Sequence, residues 1–326
     1  MRRMTVLVFR LVVVALGLAI AGIALFVTQP ALRRKLPAPP LEADPAALRA
    51  HVHELAVTFV PRDLAHVANL DRAADYILEE LRRHDASAEF QSYAVDGKTA
   101  RNVVARFGPE TGEIVVVGAH YDAFGGLPGA DDNASGTAGL LELARLLAKG
   151  PPRSRVELVA YTLEEPPYFG SEAMGSAVHA RALARRGARV TAMIGLEMIG
   201  RFTDEKGTQT FPVPLLKLLY PTRGDFIAVA GRVKDWRLTR RVKRALVSPG
   251  GVPVRSFNAP PALAGTDLSD HANYWKAGYS AVMVTDTAFF RNFHYHTELD
   301  TPDRLDYRRM AHVVEGVYQA VRDLAG

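Results

Sequence analysis

The chain has 326 residues, of which 48% are hydrophobic, enough for a sizeable core and too many for a disordered chain. Its formal net charge of +5 arises at the N-terminus, because residues 1–35 hold six Lys and Arg side chains and no acidic residue. The remaining chain has a net charge of −1, which removes the electrostatic argument for a nucleic-acid partner. Because there is no cysteine, disulfides and thiolate metal ligands are excluded, and any metal must be held by His and carboxylate side chains.

The N-terminal segment, residues 1–34, is predicted to be a membrane anchor. Residues 11–27 form an uninterrupted apolar run of 17 residues, near the lower limit for a membrane-spanning helix. No small-residue cleavage site follows, so we favour an uncleaved anchor over a cleaved signal peptide or a buried helix. Three basic residues flank each side and leave the orientation open. We expect the rest of the chain to face the periplasm or the extracellular space, or to be secreted if the segment is cleaved.

Two further regions follow the anchor. Residues 35–45 contain four prolines and are predicted to form an extended linker. Residues 46–326 are predicted to form one domain in which helices alternate with strands. Two helices are expected between residues 45 and 83, and apolar spacing predicts further helices over 134–148, 170–186, 233–247, 267–277 and 307–324. Short apolar runs predict strands over 101–107, 114–119, 156–162, 190–199, 226–230 and 281–285.

This alternation predicts an α/β fold with a mostly parallel sheet covered by helices on both faces. Residues 200–225 contain three prolines and no sustained periodicity, and we expect a loop over one face. The predicted helix over 233–247 has an apolar set opposite a basic face of Arg237, Arg240, Arg241, Lys243 and Arg244. That pattern is typical of an ordinary solvated helix face.

Acidic residues and histidines gather where the predicted strands end. His120 follows one strand, Glu164 follows another, and Glu197 lies in a third. Because the carboxyl ends of parallel strands meet at one edge of a sheet, such residues converge although they are distant in sequence. A set made only of carboxylates and imidazoles suits a hydrolytic site with two metal ions, since zinc accepts both ligand types.

Each of these residues also has a plainer explanation when taken alone. His120 is more often a satisfied core histidine, and residues 131–133 could be a turn that caps a helix. The pair Glu164 and Glu165 could be solvated. Glu197 is harder to explain, because its neighbours look buried and a buried carboxylate needs a partner. A shared site explains all of them together.

Several short segments of the chain, in the same order, resemble those of the M28 family of zinc-dependent aminopeptidases. They are GAHYD at 118–122, GADDNASG at 129–136, EE at 164–165, LEMIG at 196–200, SDH at 269–271, and YHT at 295–297 followed by DTPD at 300–303. The resemblance implies a zinc-exopeptidase-like fold, a single three-layer domain with a mixed sheet of about eight strands between helices. It also implies a cis peptide bond between Asp132 and Asn133.

The resemblance further implies two zinc ions as cofactors, although such ligands also accept cobalt or manganese. The implied metal ligands are His120, Asp132, Glu165, Glu197 and His296. His120 and Glu197 would hold one ion, Glu165 and His296 the other, and Asp132 would bridge both. Only His296 fits the YHT segment, so His294 is not expected to be a ligand.

Three more residues have implied roles. Glu164 is implied as the general base that activates water. Asp122 would accept the other N–H of the His120 ring and fix its tautomer. Asp270 is a candidate for a contact just outside the ligands or in the substrate pocket. Because successive strand side chains point to opposite faces, Glu164 and Glu165 can share the site only if the backbone turns at the strand end.

The implied activity is that of an aminopeptidase, which removes N-terminal residues from peptides. A glutaminyl cyclase is an alternative, but it works with one zinc, and the full set of five ligands argues against it. A non-catalytic binding module would be expected to lack ligands or the base. Carboxypeptidase or dipeptidase activity remains open, as does the residue preference. Four aromatic side chains could line an apolar pocket: Phe202, Phe289, Phe290 and Phe293.

Overall fold

A computed structural model describes residues 2–31, 42–84, 87–260 and 265–326, with backbone only for residues 2–6 and 8. The helices are α1 (Arg2–Thr28), α2 (Pro45–His53), α3 (Val67–Arg82), α4 (Gly136–Lys149), α5 (Gly175–Arg185), α6 (Trp236–Val247), α7 (His271–Lys276) and α8 (Tyr307–Leu324). The strands are β1 (Glu89–Val95), β2 (Lys98–Phe107), β3 (Ile114–His120), β4 (Arg155–Tyr161), β5 (Val190–Glu197), β6 (Ile227–Arg232), β7 (Val254–Ala259) and β8 (Ala281–Thr285).

The eight strands form one mixed sheet in the order β1-β2-β4-β3-β5-β8-β6-β7. The four central strands β4, β3, β5 and β8 are parallel. β6 runs antiparallel to β8, and β2 runs antiparallel to β4. The parallel centre brings the carboxyl ends of three strands to one edge, as the sequence predicts.

Helices cover both faces of the sheet, which gives the predicted three layers. β3 is buried along its whole length, as expected for a β-branched parallel strand between two helical layers. Its alternate residues belong to different cores: Val115 and Val117 pack with α3, α4, α6 and α8, whereas Ile114 and Val116 pack with α5 and α7. α2 packs against α4 and α8 and extends the helical layer that they form with α3 and α6.

Strands and helices differ from the sequence predictions mainly at the sheet edges and helix starts. The two edge strands, β1 and β7, were not predicted, because both mix polar with apolar residues and are partly exposed. α4 begins at Gly136 rather than at residue 134, because Asp132 and Asn133 have non-helical backbone angles. The helix predicted from residue 170 begins at Gly175, and α7 is shorter than predicted.

The N-terminal helix α1 projects from the domain. Its segment Phe9–Thr28 is exposed, and within the described residues it is the one helix long and apolar enough to cross a membrane, a test that a signal sequence also passes. The predicted linker over residues 35–45 falls mostly outside the described residues. Pro45, its last residue, is the first residue of α2, where the Asp44 side chain caps the helix.

Candidate metal centre

The first part of the site is the end of β3. Gly118 is required there, because a Cβ atom would lie 2.2 Å from the Tyr161 ring. His120 is fully buried, and its Nδ1 lies 3.4 Å from the Asp122 carboxylate and 3.2 Å from the Asp122 carbonyl oxygen. The Asp122 carboxylate also accepts the backbone N–H groups of Glu164 and Glu165 at 3.2 and 3.1 Å. Asp122 therefore ties the His120 ring to the loop that carries both glutamates.

Asp132 lies between two imidazoles. Its Oδ1 is 3.3 Å from His120 Nε2, and its Oδ2 is 3.1 Å from His296 Nε2. The peptide bond from Asp132 to Asn133 is cis, as predicted. Asp300 accepts the backbone N–H groups of Asp131 and Asp132 at 3.1–3.2 Å and so fixes this turn. One carboxylate thus presents a separate oxygen to each histidine.

The neighbouring residue Asp131 has a structural role. Its carboxylate accepts the backbone N–H of Gly200 at 3.0 Å and the Asn292 amide at 3.0 Å. The Asn133 side chain similarly bonds the backbone of Gly136 and Met198. These bonds join the turn to the end of β5.

Glu164 and Glu165 both face the site, because the backbone turns just before them. Leu163 has φ +59°, and this left-handed residue breaks the strand alternation. Glu164 Oε2 lies 3.8 Å from His120 Nε2, and Glu165 Oε2 lies 3.1 Å from His296 Nε2. The required turn is therefore present, and it lies at Leu163.

Glu197 ends β5 on the side of His120. Its Oε2 lies 3.5 Å from His120 Nε2 and accepts the Ser269 hydroxyl at 2.6 Å. Asp270, the next residue, is fully buried at the start of α7, and burial raises its pKa to about 7. Sequence reasoning found Asp270 but gave Ser269 no role.

His296 completes the cluster at its outer rim. Its ring is stacked between Phe124, at 4.2 Å between centroids, and Tyr295, at 3.8 Å. Its side chain is 20% exposed. His294 lies elsewhere, with Nε2 3.1 Å from the Arg304 guanidinium, so it is separate from the cluster as expected.

The pKa values of the clustered side chains depend on burial and on their charged neighbours. Burial raises the pKa of Glu164 well above its ordinary value, and it raises that of Glu165 to about 8 with the help of Asp132. Burial opposes charge on His296, yet Asp132 and Glu165 raise its pKa to about 9. Burial would also raise the pKa of Asp132, but His120 and His296 hold it below its usual range. The pocket therefore concentrates negative charge that needs cations beside it.

The donor set fits metal ions. Ligand atoms of His120, Asp132 and Glu165 lie within 4.8 Å of one another, as do those of His120, Glu164 and Glu197. Four buried atoms of these side chains form no hydrogen bond of good geometry among the described residues: His120 Nε2, Asp132 Oδ2, Glu165 Oε1 and His296 Nε2. Asp132 Oδ2 and His296 Nε2 nevertheless lie 3.1 Å apart. Buried nitrogen and oxygen atoms that lie close together without good hydrogen bonds, and that face a common space, are the arrangement that zinc satisfies.

Arg62 is a buried arginine that holds the loop leading to Asp132, and no sequence motif indicated it. Arg62 is fully buried and donates to the backbone carbonyls of Tyr121, Leu55, Pro128 and Gly129 at 2.5–2.9 Å. It thereby fixes both ends of the loop between β3 and the Asp132 turn. Its partners are all backbone atoms, which explains why sequence patterns could not reveal it.

A cleft of about 120 Å³ opens beside Glu197. Its walls are mainly apolar and include Phe211, Leu216, Phe226, Phe257, Met283 and Phe289. Of the four predicted pocket aromatics, Phe289 and Phe290 line it. Phe202 is instead buried beneath Arg291 and Arg309, and Phe293 is 65% exposed. The loop over residues 201–225 supplies one wall of the cleft.

The fold and this site define a family. Residues 102–321 match the model of peptidase family M28, and the chain belongs to that family. The chain is 48% identical over 290 residues to Uncharacterized protein YfbL of Escherichia coli K12, covering 86% of this chain and 89% of that one. It is 28% identical over 228 residues to Leucine aminopeptidase 1 of Emericella nidulans, covering 66% of this chain and 52% of that one. The chain thus spans about half the length of that aminopeptidase.

Solved structures with the same fold include enzymes of two kinds. One is BSAP, a zinc aminopeptidase from Bacillus subtilis, with a TM-score of 0.70 and 14% identity over 87% of this chain and 96% of that one. Another is a glutaminyl cyclase from Bacteroides thetaiotaomicron, with a TM-score of 0.65 and 19% identity over 86% of this chain and 98% of that one. At these identities the likeness establishes the fold, as predicted, and leaves the reaction open.

Proposed function

We propose that this protein is an aminopeptidase with two metal ions, zinc by preference, that removes N-terminal residues from peptides. The observation that carries the proposal is the position of Asp132, which turns one oxygen to His120 and the other to His296. Glu197 lies beside the first histidine and Glu165 beside the second. These five side chains would hold the two ions, with Asp132 shared between them.

Zinc bound there would lower the pKa of water and polarise the scissile carbonyl. Glu164 would take the proton of the attacking water and return it to the leaving amine. Its raised pKa, caused first by burial, suits a group that must hold a proton during the reaction. Asp122 would keep the His120 ring oriented and, through two backbone bonds, keep Glu164 and Glu165 in place.

The apolar cleft beside Glu197 would receive the side chain of the residue to be removed. Its aromatic and aliphatic walls favour an uncharged, bulky side chain over a charged one. The relative from Emericella nidulans is named a leucine aminopeptidase, which agrees with this preference.

We further propose that residues 1–34 anchor the enzyme in a membrane, that residues 35–45 link the anchor to the domain, and that residues 46–326 act in the periplasm or outside the cell. The exposed apolar surface of α1 supports the anchor. Protease accessibility of a C-terminal tag in intact cells tests the orientation. Protection of the tag would contradict it by placing the domain in the cytoplasm.

A panel of aminoacyl-nitroanilides, assayed with and without a chelator, tests the activity. We expect metal-dependent release that is greatest for large apolar residues and is lost in Glu164→Ala. Glu110→Ala, an exposed acidic residue in a loop, serves as the control and should keep full activity. Cyclisation of N-terminal glutamine without amine release would favour a glutaminyl cyclase instead, and no turnover would favour a binding module.

A further inference from the structure

The end of α1 is fixed to one side of the domain. The carbonyl oxygen of Thr28 accepts from Lys243 Nζ at 2.5 Å and from the Ser256 hydroxyl at 2.9 Å. Gln29 donates to the carbonyl of Trp236, whose ring lies 6.0 Å from that of Phe26. Because the rest of α1 is exposed, a bilayer that contains α1 must lie against this side, formed by α6 and the edge strand β7.

Next to the end of α1, the exposed face of α6 carries positively charged side chains that form no ion pairs with described residues. Arg237, Arg240 and Arg244 lie on one helix face at spacings of three and four residues, and all are exposed. Among the described residues, no acidic side chain lies within ion-pair distance of these three arginines. Arg240 lines a surface groove together with Leu25 and Phe26 of α1. Arg240 therefore lies beside the end of the apolar helix, and Arg237 and Arg244 lie about one helical turn from it on the same face of α6.

An exposed apolar segment of the chain leads into Tyr220, which is linked to the same junction through Ser256. We name residues 213–219 the leucine segment; Leu215 is 67% exposed and Leu218 is 79% exposed. The segment is followed by Tyr220, whose hydroxyl donates to the carbonyl of Ser256 at 2.6 Å. Ser256 also bonds Thr28, so two hydrogen bonds connect the leucine segment to the end of α1.

We propose that the arginine face of α6 and the leucine segment together dock onto the surface of the bilayer that contains α1, and that they favour anionic phospholipids. The arginines would contact headgroup phosphates, and the leucines would enter the boundary between headgroups and acyl chains. The neighbouring Leu216 lines the cleft at the metal centre, so docking would hold the mouth of the active site close to the membrane. This inference rests on the proposed role of α1 as an anchor.

The absence of native cysteine makes a direct test possible in the full-length chain. Leu218→Cys, labelled with an environment-sensitive fluorophore, is reconstituted in vesicles containing about one-third phosphatidylglycerol. We expect a blue-shifted emission and about twofold quenching by lipids brominated near the headgroup. The control is Ser92→Cys on β1, at the opposite edge of the sheet and on the order of 30 Å away, which should keep an aqueous emission.

A charge-reversal pair tests the role of the arginines. R240E/R244E, combined with the labelled Leu218→Cys, should reduce the quenching toward the Ser92 control and remove the preference for anionic vesicles. R185E/R189E changes the net charge equally on exposed residues elsewhere and should have no effect. Unchanged melting temperatures would show that all variants fold.

Two results would contradict the inference, and they are distinguishable. Protein that resists extraction by alkaline carbonate while the Leu218 label stays aqueous would leave the anchor proposal intact and overturn the docking surface. Protein that carbonate releases would overturn the anchor and, with it, the docking proposal.

Discussion

The metal centre and the surface around the end of α1 arrange charge in opposite ways. At the centre, four carboxylates and two histidines are collected in a pocket, with carboxylate oxygens 3.1–3.8 Å from imidazole nitrogens. On α6, Arg237, Arg240 and Arg244 project into solvent without an ion pair to any described residue. Burial makes a charge costly unless a partner is fixed beside it, so the first arrangement requires a specific structure. An exposed charge costs little free energy, so the arginines of α6 leave only a weak signal in the sequence.

We expect the largest effect from changing a buried charged side chain at the candidate metal centre. Glu164→Gln keeps the size of the side chain and removes its ability to accept a proton. We expect turnover of aminoacyl-nitroanilides to fall by about 10²–10⁴-fold. Metal content measured on the same sample should remain unchanged, since Glu164 is not among the five proposed ligands. A variant that loses its metal together with its activity would instead assign Glu164 as a ligand, a possibility that its position near His120 makes worth measuring.

A second test uses the buried His271, which, unlike the histidines of the centre, forms no ion pair with a carboxylate of the described residues. Burial lowers the pKa of His271 to about 4, while its ring bonds the Thr266 carbonyl. The unfolded chain therefore binds this proton near pH 6.5, before the folded protein does. Stability should fall as the pH drops from about 6.5 to 4, by about 3 kcal/mol from this group. Urea unfolding of wild type and His271→Asn across this range measures the difference.

His271→Asn should show a smaller loss of stability on acidification than the wild type. His53→Asn, on the exposed side of α2, should unfold with the same pH dependence as the wild type. Equal slopes for wild type and His271→Asn would show that His271 does not remain neutral in the folded protein.

A third test concerns positioning within the centre. Asp122→Asn keeps the shape but removes the charge that faces the His120 ring and the two backbone N–H groups. We expect a loss of about 10–100-fold in metal affinity or activity. Titration with metal under a competing chelator separates these two effects, and a variant with wild-type affinity and turnover would exclude the positioning role.

The smallest effect is expected on α6. Arg241 forms an exposed ion pair with Asp323. Arg241→Ala should change the free energy of unfolding by less than about 1 kcal/mol, because exposed ion pairs contribute little. Thermal unfolding measures it, and a much larger loss would mean that charge on α6 matters for folding as it does at the centre.

Much of the fold followed from the sequence, for reasons that particular elements make clear. α8 was predicted over its observed bounds, and the central strands were predicted to within a few residues, because their apolar runs are fully buried. The edge strands β1 and β7 were missed, since half-exposed strands carry mixed residues. Five carboxylates that are distant in sequence have an oxygen within 3.8 Å of an imidazole nitrogen of His120 or His296: Asp122, Asp132, Glu164, Glu165 and Glu197.

What the sequence could not predict depends on tertiary contacts with backbone atoms. The side chains of Arg62 and Asp300 bond backbone groups, apart from the bond that Asp300 accepts from the Asn292 amide. Such partners leave no pattern of residue types. The arginines of α6 are exposed as predicted, but Lys243, which the sequence placed on the same solvated face, is buried and donates to the Thr28 carbonyl. The position of this helix beside the end of α1 became visible only in three dimensions.

The stacking of His296 between Phe124 and Tyr295 has a further consequence. The other four proposed ligands are immobilised by burial, with side chains at most 8% exposed, whereas His296 lies at the open rim. Two flat aromatic neighbours remove most of the rotational freedom of its ring before any ion arrives. The entropy of ordering this imidazole, on the order of 1 kcal/mol, is thus lost during folding rather than during metal capture. The rim of the site can therefore stay open to a peptide while His296, the proposed metal ligand at the rim, remains rigid.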